Sequence, residues 1–160
     1  MKKLFKFFVL AIAAVCICSC NDEYLSTPVI KIYNDVFVTH MDGSRDTTFI
    51  GDSLHVGDTA RVVVEFYGIS HSLVSSEVKS EASALACSFE CDSSVIKEFF
   101  EPDSRVDEGY IHFQPYVMAL RTRLRYVAKS TGEYTVTFSA ESMAKEPYSH
   151  NSLEFKQVIR

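Results

Sequence analysis

Ala60-Arg61-Val62-Val63-Val64-Glu65-Phe66-Tyr67 alternates with period two. Ala60, Val62, Val64 and Phe66 fall on one side, and Arg61, Val63, Glu65 and Tyr67 on the other. Only an extended chain puts every second side chain on one face. The stretch is also rich in β-branched and aromatic residues, which fit a pleated, half-buried surface. It reads as a strand with one face in a core. Tyr134, Val136, Phe138 and Ala140 repeat the pattern against Thr135, Thr137 and Ser139, so a second strand is expected there.

Weaker extended signals flank these two. Val29–Tyr33 and Val36–His40 look extended, and Asp42-Gly43 sits between Val36–His40 and Thr47–Ile50 as a hairpin turn would. Ile111–Phe113 and Leu153–Ile159 are further strand candidates. Residues 117–129 satisfy two templates: Leu120, Leu124, Val127 and Ala128 make a helical face, while Leu120, Thr122, Leu124, Tyr126 and Ala128 make a strand face. The strand is favoured, because Ser130-Thr131-Gly132-Glu133 is a short turn into the strand at Tyr134. Ser76–Ala86 reads as a helical turn or irregular chain. Ser93–Phe100 reads as a short helix capped by Ser94, or as a strand. Seven to nine short strands with regular turns and few helices predict an all-β sandwich.

The run Gly132-Glu133-Tyr134-Thr135-Val136-Thr137-Phe138 resembles the Gly-x-Tyr entry into a late strand of immunoglobulin-like domains. That resemblance implies an immunoglobulin-like β-sandwich in which Tyr134 is buried and its hydroxyl ties the loop to the strand. The chain has no Trp and no cysteine pair spaced to bridge two sheets, so the antibody type of domain is not expected.

Composition agrees with one globular unit. Of the 160 residues, 47% are hydrophobic and 23% charged, with 16 Lys and Arg against 21 Asp and Glu. Lys2, Lys3 and Lys6 crowd the first six positions. Without them 13 basic residues face 21 acidic ones, a charge of −8. That balance disfavours binding nucleic acid by neutralising phosphates, and no nucleic-acid partner is expected.

An apolar run from Phe7 to Cys18 follows the lysines. Twelve helical residues span about 18 Å, too short for a bilayer core of about 30 Å, so the run reads as the h-region of a signal peptide. Ile17-Cys18-Ser19-Cys20 resembles a bacterial lipobox. The resemblance implies cleavage before Cys20 and diacylation of its thiol, a nucleophile suited to a thioether link. Asn21-Asp22-Glu23 resembles the acidic export tag of surface lipoproteins in one group of Gram-negative gut bacteria. This implies the outer face of the outer membrane, with a periplasm-facing location as the alternative. The expected organisation is a signal peptide over 1–19, a lipidated tether over 20–28 and a β-sandwich over 29–160.

Sites of chemistry are sparse. Leu85, Cys87, Phe89 and Cys91 alternate with Ala86, Ser88 and Glu90, which points both thiols into the core, and four strand residues span about 13 Å, beyond the roughly 7 Å a disulfide allows between Cα atoms unless the segment bends sharply. Two buried free thiols are expected. His40, His55, His71, His112 and His150 show no metal-ligand spacing. Asp42, Asp46, Asp52 and Asp58 lack the order of a calcium loop and read as turn residues, as do Asp103, Asp107 and Glu108. No nucleophile motif or phosphate-cradling loop is present. No metal, cofactor or catalysis is expected.

One stretch departs from the acidic background. Arg121, Arg123 and Arg125 alternate with core residues, so a strand would project all three from one face. Three guanidinium forks suit sulfate, carboxylate or phosphate groups. The competing reading is cross-strand pairing with Glu65 or Glu133. Tyr67, Tyr110, Tyr116 and Tyr148 are candidate sugar-stacking rings. Asp46-Thr47-Thr48, Asp52-Ser53-Leu54 and Asp58-Thr59-Ala60 resemble tripeptides that the same bacterial group O-glycosylates. The expectation is a lipid-anchored, non-catalytic binding module for an acidic glycan or an envelope or host protein. The alternatives are a purely structural lipoprotein and a small glycan-active hydrolase.

Overall fold

The structure is a computed structural model that describes residues 26–160. The expected signal peptide, Cys20 and the acidic stretch Asn21-Asp22-Glu23 lie outside the described residues. Nine strands form two antiparallel sheets: β1 (Val29–Thr39), β2 (Arg45–Phe49), β3 (Thr59–Tyr67), β4 (Leu73–Lys79), β5 (Leu85–Glu90), β6 (Tyr110–His112), β7 (Ala119–Ala128), β8 (Gly132–Ser142) and β9 (His150–Ile159). One helix, α1 (Ser93–Phe99), and a single 3-10 turn at Val106–Glu108 complete the described elements. The five-stranded sheet runs β2-β1-β3-β7-β5 and the four-stranded sheet β6-β4-β8-β9.

The alternation around Ala60–Tyr67 is what fills the space between the sheets. Ala60, Val62, Val64 and Phe66 from β3 are fully buried, as are Leu124, Tyr126 and Ala128 from β7 and Val136, Phe138 and Ala140 from β8. Burying a ring such as Phe66 contributes about 1.5–3 kcal/mol. Tyr126 crosses the sandwich to Phe155 at 6.5 Å between ring centroids, and Phe138 stacks on Phe155 at 6.0 Å. One polar device sits in this core. The Gln157 amide donates to the Asp52 and Val158 carbonyls, and its oxygen accepts from the Tyr126 hydroxyl at 3.5 Å.

The expected hairpin is present. Gly43, with φ of 83°, turns β1 into β2, and the Asp42 carboxylate accepts from the Ser44 amide at 2.8 Å and the Ser44 hydroxyl at 2.6 Å. The two extended pieces at the amino end are one strand, β1, whose register shifts between Ile32 and Val36. Residues 117–129 hold a strand, β7, paired on one side to β3 and on the other to β5. Tyr134 keeps its expected bond: its hydroxyl donates to the Thr131 carbonyl at 2.9 Å and meets Ser130 Oγ at 3.0 Å. Its ring is half-buried rather than buried, because the turn it ties is at the surface.

Two local expectations are corrected. Ser76–Ala86 is neither helical nor wholly irregular: most of it belongs to β4 and the start of β5. Serine occupies the core position at Ser76, and the register slips between Leu73 and Ser75, so the apolar alternation is broken there. Ser93–Phe99 is a helix, but Asp92 is the capping residue, not Ser94.

Candidate functional site

The outer face of the five-stranded sheet gathers what the chain scatters. Inward positions on β1, β3 and β7 fill the core, so the alternate positions project outward. These are Lys31, Tyr33 and Phe37 on β1, Arg61, Val63, Glu65 and Tyr67 on β3, and Arg121, Arg123 and Arg125 on β7. Register places Glu65 opposite Arg121, Val63 opposite Arg123 and Arg61 opposite Arg125. Arg45 from β2 lies opposite Thr39, and Ser88 and Glu90 from β5 lie opposite Arg125 and Arg123.

Arg121 is held within the protein. Its Nε stands 3.4 Å from the Glu65 carboxylate and its guanidinium lies 5.1 Å from the Tyr33 ring centroid. Glu65 is only 5% exposed although it points outward, because its neighbours cover it. The Tyr33 hydroxyl donates to it at 3.0 Å, the Tyr67 hydroxyl donates to its other oxygen, and Lys31 Nζ stands at 3.9 Å. Donation from Tyr67, followed by Tyr33 and the two cations, holds this carboxyl below the usual range against the opposing effect of desolvation. The same bond pushes the Tyr67 phenol up.

Arg123 and Arg125 have no carboxylate within 4.0 Å among the described residues. Glu90, the acid nearest them in register, is engaged by Arg61, whose Nε donates at 3.0 and 3.1 Å. Arg61 and Arg125 stand directly across from each other, an arrangement of like charges that costs stability unless an anion lies between them. The pairing expected from sequence is therefore correct for Arg121 with Glu65. Glu133 takes no arginine: it lies on the other sheet and binds Lys156 at 2.5 Å.

Two open clefts border this face. One, of about 460 Å³, is lined by Val63, Glu90, Asp92, Val95, Arg121 and Arg123, with Cys91 and Thr122 behind. It exists because β5 stops at Glu90 while β7 extends four residues further to Ala119, and α1 closes the gap. The other, of about 450 Å³, is lined by Phe37, Thr39, Arg45, Asp46, Thr47 and Arg61. Sequence reading had no access to Lys31, Arg45 and Arg61 as members of this face, since strand order alone brings them beside β7.

The remaining candidates have structural partners. His40 Nδ1 lies 3.0 Å from Asp58 and Nε2 3.4 Å from Asp46, which raises its pKa, chiefly through Asp58, and leaves neither ring nitrogen free. Asp58 also accepts from the His55 amide at 2.8 Å, and Asp52 from the Phe49 amide at 2.9 Å, as turn residues do. His112 pairs with Asp103 at 2.8 Å. Tyr110 stacks under Arg105, and Tyr116 donates to the Glu98 carbonyl. Cys87 and Cys91 are free thiols, half-buried against the core, and burial pushes the Cys87 thiol up to about 12. Among the described residues no three His, Cys, Asp or Glu side chains converge as metal ligands, and no helix is long and apolar enough to cross a membrane.

No protein-family model matches the chain, and no curated protein matches it. Solved structures do. A conjugative transposon lipoprotein from Bacteroides eggerthii is 14% identical, with a TM-score of 0.45 over 81% of this chain and 95% of its own. A DUF4466 family protein from Parabacteroides merdae is 14% identical, with a TM-score of 0.47 over 82% of this chain and 43% of its own. The PapD-like domain of human CEP192 is 16% identical, with a TM-score of 0.38 over 86% of this chain and 87% of its own. No residue role is carried over from any of them.

Proposed function

We propose that this chain is a lipid-anchored cell-envelope protein whose sandwich is a non-catalytic binding module, and that the outer face of its five-stranded sheet takes an acidic ligand. The anchoring half rests on the lipobox-like Ile17-Cys18-Ser19-Cys20 and the charged and apolar segments before it. The binding half rests on charge placement. Residues 26–160 hold 13 Lys and Arg. Six of them, Lys31, Arg45, Arg61, Arg121, Arg123 and Arg125, occupy outward strand positions of one sheet face with Asp35, Glu65 and Glu90, and Asp46 and Asp92 line its bordering clefts. Arg123 and Arg125 supply the unengaged forks. Their planar donor geometry fits the carboxylates or sulfates of an acidic glycan, or the carboxylates of an acidic protein segment. Phe37 and Val63 add apolar contact beside them.

A glycan array probed with the mature protein, together with an envelope pull-down, tests this reading. Uronate- or sulfate-bearing glycans, or an acidic protein, should be retained, and Arg123→Ala/Arg125→Ala should lose at least about tenfold in affinity, since charge-assisted bonds contribute about 1.5–3 kcal/mol each. Interactions that survive replacement of Arg121, Arg123 and Arg125 together contradict the arginine face.

A further inference from the structure

The two ends of the sandwich differ in chemistry. At one end the chain enters at Ser26–Pro28, and the loops Gly68–Ser72, Phe113–Met118 and Met143–Ser149 lie beside it. Surface loops are ordinarily polar. Yet Gly68–Ser72 and Phe113–Met118 contain no Asp, Glu, Lys or Arg, and Met143–Ser149 contains only Lys145 and Glu146; α1, bonded to Phe113–Met118 through Tyr116 and Gln114, brings the exposed Lys97 and Glu98 to the border of this end. Val29, Ile69, Tyr116, Met118 and Met143 at this end are each 39–62% exposed. The opposite end also exposes Met41 and Val56, with Asp42 next to Met41 in the chain and Arg160 bonded to Val56, while Asp107, Glu108 and Lys129 gather around a cleft with Lys79.

The apolar side chains stand on a built platform. The Gly68 amide donates to the Met118 carbonyl at 2.8 Å, Leu73 to Val117 at 2.7 Å, and Met143 to Ser72 at 2.9 Å, so the three loops are knitted together. Asn151 donates to the Pro28 carbonyl at 2.8 Å, fixing the chain entry at the same end. A Cβ on Gly68 would meet the His71 carbonyl oxygen at 1.8 Å, so the tight loop requires glycine there. Its neighbour Ile69 holds φ at 56°, a left-handed conformation that a β-branched residue adopts only when its surroundings impose it. The loop spends conformational strain to present an isoleucine to the exterior.

We infer that this end docks on the surface of a lipid bilayer, with Ile69, Tyr116, Met118 and Met143 seated in the headgroup boundary. The inference rests on the reading of Cys20 as the acylated residue. Five residues separate Cys20 from Ser26, and the six Cα–Cα steps reach at most about 21 Å. Strands of ten residues make the body about 33 Å long, so the end with the charge-poor loops is the one held next to the lipid. The two or more acyl chains implied for Cys20 bring the domain to the membrane, and an exposed apolar rim with an aromatic ring then adds interfacial contact.

The chain has no Trp, so any single introduced indole reports its own position. The mature acylated protein is reconstituted in phosphatidylethanolamine–phosphatidylglycerol vesicles carrying brominated lipid. Tyr116→Trp and, as an independent site, Met143→Trp are compared with Phe37→Trp on the sheet face and Ser130→Trp at the far end. Emission from the first two should shift to shorter wavelength and be quenched by at least roughly twofold more than from the others. Protein that floats with the vesicles while Trp at 116 and 143 stays unquenched keeps the anchor and overturns the docking. Quenching at Phe37→Trp instead means the body lies on its side, which also overturns it. A blue shift without quenching, in a dimer, assigns the rim to a second copy and overturns it. Protein that does not float removes the anchor and the docking together.

Discussion

Glu65 and His40 carry opposite pH dependences, and both follow from named partners. The Glu65 carboxyl is held below its ordinary 4.5 chiefly by the Tyr67 hydroxyl. A lowered pKa in the folded state contributes stability that is present above the unfolded value and lost as pH falls through the folded one. His40 is raised above 6.5, chiefly by Asp58, so its contribution is present below 6.5 and lost as pH rises through the raised value. Urea midpoints should show this directly. The deficit of Glu65→Gln relative to the parent should be full at pH 6 and shrink on acidification below about 4.5. The deficit of His40→Gln should be full at pH 5.5 and shrink above about 6.5. Deficits that stay constant across these windows contradict the assigned partners. At this scale the sequence announces the turns and few of the side-chain partners. Asp42, Asp52 and Asp58 are readable because an aspartate bonds backbone amides two or three residues away. Pairing of an arginine with Glu65 is expected from the alternation and holds for Arg121, but the rest of the cage is not readable, because Tyr33 and Lys31 reach it from another strand.

Strands differ in how plainly the chain announces them, and the reason is physical. β3 and β8 are legible because one face meets a continuous apolar core and the other meets water. β7 satisfies both a helical and an extended template, and its pairing to β3 and β5 on either edge decides between them. β4 is obscured because Ser76 is fully buried where a hydrophobe is expected and a register shift interrupts the period. The face that an alternating position occupies also sets the cost of changing it. Leu124→Ala, on the inward face of β7, is expected to destabilise by about 2–5 kcal/mol, and its neighbour Arg123→Ala by less than about 0.5 kcal/mol. Chemical denaturation of the two variants checks this. Similar losses for both would mean that β7 does not present its arginines to solvent.

For the whole molecule, the decisive property is the segregation of charge and apolar surface. Residues 26–160 carry 13 basic and 19 acidic groups, a net −6. The outward strand positions of the five-stranded sheet nevertheless hold six cations and three acids, with Asp46 and Asp92 in the bordering clefts. An acidic ligand should therefore bind with strong salt dependence, losing affinity progressively from 50 to 500 mM NaCl as screening shortens below the spacing of the forks. Affinity indifferent to salt would move the binding site away from this face. The sequence showed three arginines of this set; the strand order β2-β1-β3-β7-β5 supplies the other three cations, and no local pattern encodes that order.

Both proposals stand on Cys20 being joined to fatty chains, so that the sandwich is a tethered body with one end toward lipid and one sheet face toward a partner. Cells fed radiolabelled palmitate and expressing the full chain provide the most direct measurement. The product should carry label, partition with membranes and begin at Cys20, and Cys20→Ala should abolish the label. An unlabelled, soluble product that begins at another residue would contradict the account.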